Sequence, residues 1–403
     1  MYGGELNMKL KQTFKPWTFY AYKFMSECLP IYAFYALLFL ERGVELSRIP
    51  VLIALWSGFA ILFEVPTGIL ADRVNRKNLL ILGALLKGGC FIIWYFSDSF
   101  WQFALGFMIW AFSTALASGT EEGLLFDSLK RDGREEEFTG IYGKVQAAGI
   151  VGALVGIVSA GGLSLFLSLG QIALLSGFIA VIDAILALNI RGTQTKRTTG
   201  AEKKESMGET LRSALGFIKT NRVAQLLIFF IVFVASLGNY LDEFDALIIG
   251  DFGLDLFWVT VIFSIRFIFM ALGDLAAPFF EKRIKSLGAM VLLAIPGCLL
   301  LVVFALFWNP LALAAFGLCF FVLSVVNVLV VSRLNHEMKE EARATVMSLL
   351  GVGQNLGMIL LALAFGWLTG MVGMQQTYLM ISLFGTGAAI VFWLASRINL
   401  KSK

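Results

Sequence analysis

Glu64-Val-Pro-Thr-Gly-Ile-Leu-Ala-Asp-Arg-Val-Asn-Arg-Lys77 decides how the chain must be read. An apolar run ends there in a proline, a glycine and a dense patch of charge. A second apolar run begins at once with Leu79-Leu80-Ile81-Leu82. A break this abrupt reads as a very short loop between two membrane helices, its basic residues kept on one side of the bilayer. Composition supports that frame. Hydrophobic residues make up 58% of the 403 positions and charged residues 15%, where a soluble domain carries about 25% charged. The mean hydropathy is +0.81. Such a chain has room for about a dozen spans of roughly 20 residues with short connections.

Working outward from that loop, hydropathy and helix breakers place spans at about 16–40, 50–71, 78–97, 101–129, 139–163, 165–190, 223–249, 255–278, 286–307, 310–333, 343–369 and 375–397. Lys and Arg concentrate in the N-terminus, in 72–77, 130–134, 191–222, 282–285 and 333–343, and in the tail from Arg397. The loops on the other side contain only Arg42 and Arg48. The positive-inside rule then puts both termini in the cytoplasm, as an even number of spans requires. The first fifteen residues are polar and show no cleavage pattern, so the first apolar segment is expected to be retained.

The long polar insertion 191–222 divides the chain into an N-terminal bundle, 1–190, and a C-terminal bundle, 223–403. Its first half is a charged linker. From Glu209 the positions Leu211, Ala214, Leu215 and Ile218 form an apolar stripe at helical spacing, which suits a helix lying on the membrane surface. A solvated linker is the favoured reading. A shift of 205 residues overlays Gly68 on Gly273, Gly83 on Gly288, Leu129 on Leu334, Gly152 on Gly357 and Gly161 on Gly366, so the two bundles read as parallel repeats.

On these residues the chain resembles the major facilitator superfamily of transporters. Its loop between the second and third helices follows Gly-x-x-x-Asp-x-x-Gly-Arg-Lys. Gly68, Asp72, Arg76 and Lys77 match, and Asn75 replaces the second glycine. Asn tolerates positive φ better than other non-glycine residues, so the replacement is mild. Ser118–Leu129 is similar to the fourth helix, Arg343–Ser348 to the start of the eleventh, and Glu41–Ser47 to the first outer loop of bacterial drug-efflux-like members. The resemblance implies twelve helices in two six-helix repeats around a midplane site, all-α and polytopic, usually monomeric. It also implies a cytoplasmic gate of Gly68, Asp72, Arg73, Arg76 and Asp127. Two departures weaken the drug-antiporter subtype: Glu121 and Glu122 stand where its fourth helix carries an arginine, and the fifth helix has Gly149, Gly152, Gly156, Gly161 and Gly162 but no Gly-Pro pair.

Ionisable groups inside a span are costly and are functional candidates by default. Glu27, Asp242, Glu243, Arg266, Glu122 and Asn327 are the candidate substrate and proton ligands. Lys23, at i−4 from Glu27, offers a local pair instead. Arg266 needs a counter-charge from Asp242, Glu243 or Glu27, or, left unpaired with protein, would suit an anionic substrate group, so the sequence does not give the sign of the substrate. Asp245 is expected to be wetted by the outer vestibule. Lys87 and Asp183 are read as structural, at least one of Glu121 and Glu122 as a partner for a gate arginine, and Phe34 and Phe233 as possible apolar liners. Trp17, Trp101, Trp258 and Trp308 fit an interfacial belt. Four cysteines inside apolar runs and a single histidine argue against disulfides and metal sites. No nucleophile–base set or phosphate loop points to an enzyme, no cofactor is expected, and scattered basic residues do not suit nucleic acid.

The functional expectation is a secondary active transporter in an inner membrane, exporting small amphipathic or hydrophobic compounds driven by a proton gradient through Glu27 and one of Asp242 or Glu243. The alternatives are nutrient uptake or facilitated diffusion on the same fold and a non-transporting membrane sensor or interaction protein.

Overall fold

The computed structural model describes residues 15–71, 73–190, 207–338 and 340–400. Among them the secondary structure is helical throughout, and eleven helices are long and apolar enough to cross a membrane. The chain is an integral membrane protein. Its first span is not among the eleven because it is broken into α1 (Pro16–Glu27) and α2 (Tyr35–Glu41) by a short turn, Pro30–Ala33. Together they make the twelfth crossing.

The second and third spans are α3 (Ile49–Ala71) and α4 (Arg76–Phe96). The fourth is α5 (Phe100–Ala117) followed by α6 (Thr120–Arg131), then α7 (Phe138–Leu163) and α8 (Leu169–Asn189). A connecting helix, α9 (Met207–Thr220), leads to a segmented seventh span of α10 (Arg222–Phe230), α11 (Leu237–Leu241) and α12 (Asp245–Asp251). The remainder is α13 (Leu256–Arg283), α14 (Leu287–Leu292) with α15 (Ala294–Phe307), α16 (Leu313–Glu337), α17 (Glu340–Val372) and α18 (Met374–Leu400).

Packing repeats itself along the chain. α4 lies on α8 and on α5, as α15 lies on α18 and on α16. α3 packs on α5 as α13 packs on α16. The two sets meet where α17 crosses α3, α13 crosses α7 and α12 touches α2. Small residues permit the approach. Gly250 faces the Leu37 side chain, Gly161 faces Thr260, and Gly366 faces the Ser47 carbonyl, all at the end that holds Arg42 and Arg48. That end is closed.

The sequence expectation of unbroken first and fourth spans is corrected here. Pro30 has no N–H and forces Leu29 to extended backbone (φ −117, ψ 103), so α1 must stop. The carbonyl that Pro30 would have engaged, Ser26 O, accepts instead from Lys87 Nζ at 2.8 Å. The Ile31 N–H on the other side of the break donates to Ser176 Oγ at 3.1 Å. Two neighbouring helices thus satisfy the polar groups that the proline frees. The glycines of α7 let the break nest: a Cβ on Gly156 would stand 2.7 Å from Leu29 N. In the fourth span, Gly119 takes the left-handed conformation (φ 67) and parts α5 from α6.

Two further expectations change. Asn75 does not use positive φ; at φ −59 it caps α4, its side chain accepting from Lys77 N at 3.0 Å. The favoured solvated linker is overtaken for residues 207–220, which form α9 against α17 and pack Phe217 and Ile218 on the core. Residues 191–206 lie outside the described residues.

Candidate functional site

The break in the first span, the break at Gly119 and the segmented seventh span all open onto one cavity of about 680 Å³ between the two sets of helices. Nine charged residues line it. Six are carboxylates (Glu27, Glu121, Glu122, Asp183, Asp242, Glu243) and three are cations (Lys23, Lys87, Arg266). Its aromatic wall is Tyr32, Tyr35 and Trp110 on one side and Phe263 and Phe267 on the other. The Tyr32 and Trp110 rings stack at 5.2 Å, nearly parallel. Such a wall pairs flat apolar faces with polar rims.

On the N-terminal side the charges are spread out. Lys23 Nζ sits 3.3 Å from Glu27 Oε1 and 3.5 Å from Glu121 Oε2. Of the two glutamates read as candidate partners for a gate arginine, Glu121 is thereby engaged by Lys23, just past the turn at Gly119. Lys87 holds the Ser26 carbonyl and lies 5.3 Å over the Tyr32 ring. Lys87 and Asp183, read as structural from their place on supporting helices, both line the cavity.

On the C-terminal side the charges are drawn together. Arg266, 2% exposed, forms an ion pair with Asp245 through Nε and lies 3.5 Å from Asp242 Oδ2 through Nη1. Its guanidinium stands 4.7 Å from the Phe263 ring centre and 4.9 Å from those of Phe267 and Phe320. Asp245 is 1% exposed, not wetted by a vestibule. Asp242 and Asp245 at i, i+3 share a helix face, so one arginine can serve both.

Glu243 accepts a hydrogen bond from Tyr35 Oη, which joins the first span to the seventh across the cavity. Sequence reading missed Tyr35. Of the other candidates, Asn327 is not among the cavity liners, and its Oδ1 is buried without a partner among the described residues. Phe34 is fully buried in the core, and Phe233 points outward, 36% exposed and stacked on Phe229. Trp17, Trp101 and Trp258 are at least half exposed, whereas Trp308 donates to Asp251 at 3.0 Å.

The cavity opens toward the end that carries the opening stretch, where Gly119 and Glu122 also line a second depression with Arg76 and Asp127. Arg76 Nη1 donates to Asp127 Oδ2 at 2.9 Å, and its guanidinium lies flat on Gly123, where a Cβ would come 2.7 Å from Cζ. Lys77 Nζ caps α8 by donating to the Leu188 carbonyl. Gly68 and Arg73 are exposed, and Asp72 lies outside the described residues. Among the described residues no group of His, Cys, Asp or Glu is arranged to hold a metal ion.

The sequence profile described as Major Facilitator Superfamily matches residues 20–360. Over 185 residues the chain is 28% identical to a Na(+), Li(+), K(+)/H(+) antiporter of Planococcus maritimus, covering 44% of this chain and 41% of that protein. The match thus spans about two fifths of that relative. Among solved structures, the nucleoside transporter NupG superposes with a TM-score of 0.77 at 15% identity, covering 94% of this chain and 98% of that one. The POT family transporter PepTSo gives 0.70 at 13% identity, covering 97% and 99%. A D-xylose-proton symporter gives 0.70 at 14%, covering 94% and 96%. At these identities the structural likeness concerns the fold alone.

Proposed function

The chain belongs to the major facilitator superfamily, and from that premise we propose that it is a proton-coupled antiporter that exports a small amphipathic cation by alternating access. The observation that carries this reading is the charge balance of the cavity, six carboxylates against three cations beside an aromatic wall. A net negative, partly apolar chamber favours a positively charged guest with a hydrophobic body, through Coulomb attraction and contact with aromatic faces. An anionic guest would meet Arg266, but that cation is committed to Asp242 and Asp245.

Glu243 and Glu27 are the coupling carboxylates in this proposal. Asp242, the third candidate, is held by Arg266. Glu243 carries the Tyr35 bond, so binding a proton or a cation there bears directly on a contact between the two helix sets. The residues from Arg73 to Asp127 at the open end act as the cytoplasmic gate, with both termini on that side of an inner membrane. The 1–190 and 223–403 bundles are the two moving halves, working as a monomer.

A second reading is supported by the curated relative, an antiporter of monovalent metal cations. Acid-loaded membrane vesicles containing the protein separate the two. A pH-sensitive dye reports loss of the gradient when sodium, lithium or ethidium is added outside. Collapse by ethidium alone supports the organic-cation reading and collapse by sodium or lithium alone the other. A gradient untouched by all of them counts against proton antiport of either kind.

A further inference from the structure

Among the charges of the N-terminal helices that the proposed coupling does not use, Asp183 stands apart. Asp183 is 2% exposed on α8, lines the cavity wall, and leaves its Oδ1 without a hydrogen-bond partner. Among the cations, Lys87 acts on it most strongly, yet no ion pair within 4.0 Å joins them among the described residues. Lys87 is committed elsewhere, to the Ser26 carbonyl released by Pro30 and to the Tyr32 face. An ionised carboxylate with a bare oxygen at membrane depth is costly unless something neutralises it.

The groups that face Asp183 limit what that can be. Tyr22, Lys23 and Glu27 face it from α1, Lys87 from α4, Tyr32 from the turn after α1, and Glu121 from α6. Cys90 on α4 adds a buried thiol beside Lys87 and Tyr32. From α2, Tyr35 is spoken for by Glu243. A hard metal ion needs a shell of oxygen ligands and would meet two ammonium groups here. A proton needs one oxygen and no shell.

We propose that Asp183 is a second proton-binding site, loaded from the cavity and separate from the coupling carboxylates Glu243 and Glu27. It rests on the proton-coupled reading above and adds to it a second titrating group beside the broken helix. Protonation there leaves Lys87 and Lys23 with fewer opposing negative charges, so the proton bound by Asp183 acts on Glu27 and Glu121 through the shared lysines. The device is local to the N-terminal set, whereas Glu243 reports to the contact between sets.

The test is infrared spectroscopy of the purified full chain in lipid, following the carboxylic-acid C=O band as pH is stepped from about 4 to about 9. Wild-type protein is expected to show a titrating band that disappears in Asp183→Asn, persists in Glu243→Gln and moves in Asp183→Glu. The glutamate variant retains a carboxyl, so it answers the question even if the asparagine variant does not fold. Bands unchanged by both Asp183 substitutions overturn the proposal. So does a wild-type band removed by sodium chloride but not by choline chloride, because the site would then take a metal cation. The readout needs no transport: flux indifferent to a pH gradient sinks the coupling mechanism while leaving the Asp183 band to be judged by itself.

Discussion

The two sides of the cavity handle buried charge in opposite ways. On the C-terminal side one arginine serves two aspartates inside a box of phenylalanine rings, and little of it is wet. On the N-terminal side Lys23 divides between Glu27 and Glu121, Lys87 holds a backbone carbonyl, and Asp183 keeps a bare oxygen. A compact cluster of the first kind is stiff: removing any member strands the others. A loose set of the second kind can exchange partners at small cost, which suits groups that take up and release ions. The difference teaches where to look for structure and where for movement.

The largest expected effect breaks the compact side. Arg266→Met leaves the buried Asp245 and the half-buried Asp242 without their cation, which costs about 3–5 kcal/mol where a buried pair loses one partner. A thermal melt of the detergent-purified protein should show a strongly lowered midpoint or no folded fraction. Adding Asp245→Asn should return part of the loss. If Arg266→Met alone melts like the wild type, the triad is not what holds α12 to α13.

A smaller effect is expected at the helix break. In Gly156→Ala the added methyl meets Leu29 N at 2.7 Å and the Cys28 carbonyl carbon at 3.1 Å, both backbone. Overpacking of that kind costs about 1–3 kcal/mol. Gly58→Ala, where nothing lies within 4 Å, is the control, and its melting point should be unchanged. Equal behaviour of the two would mean that α7 is not pressed against the break.

The smallest is at the opening stretch. Asn75→Ala removes the side chain that caps α4 and should lower stability by about 1 kcal/mol, while Asn75→Gly should lose only a few tenths. A glycine variant more stable than the asparagine protein would instead point to the positive φ that the family pattern suggests.

Much of the fold was legible because a bilayer demands long apolar runs and charge asymmetry, and both survive in a bare sequence. Leu169 and Met374 begin corresponding helices 205 residues apart, at the offset that the glycines suggested. The breaks were less legible. Pro30 was visible, but that the chain would leave the helix there, with Lys87 and Ser176 ready to receive the freed groups, depends on neighbours distant in sequence. At the site, Glu27, Asp242, Glu243 and Arg266 do meet in one cavity. Asp245 was misjudged because its place near the outer end of the span says nothing about Arg266 lying alongside it on α13. Tyr35 and the Glu121–Lys23 contact were hidden for the same reason: pairing across helices leaves no mark in local spacing. Asn75 shows the reverse, a residue whose replacement of glycine suggested one backbone geometry and whose capping oxygen uses another.

The most direct test of the central claim is flux in proteoliposomes holding the purified protein, with an acidic lumen and external ethidium. Coupling through the carboxylates of the cavity predicts accumulation driven by the pH gradient, abolished by a protonophore, and reduced about tenfold or more in Glu243→Gln and in Glu27→Gln, a loss of about 1.4 kcal/mol or more in transition-state terms. Accumulation that ignores the gradient and is unchanged in both variants would contradict it.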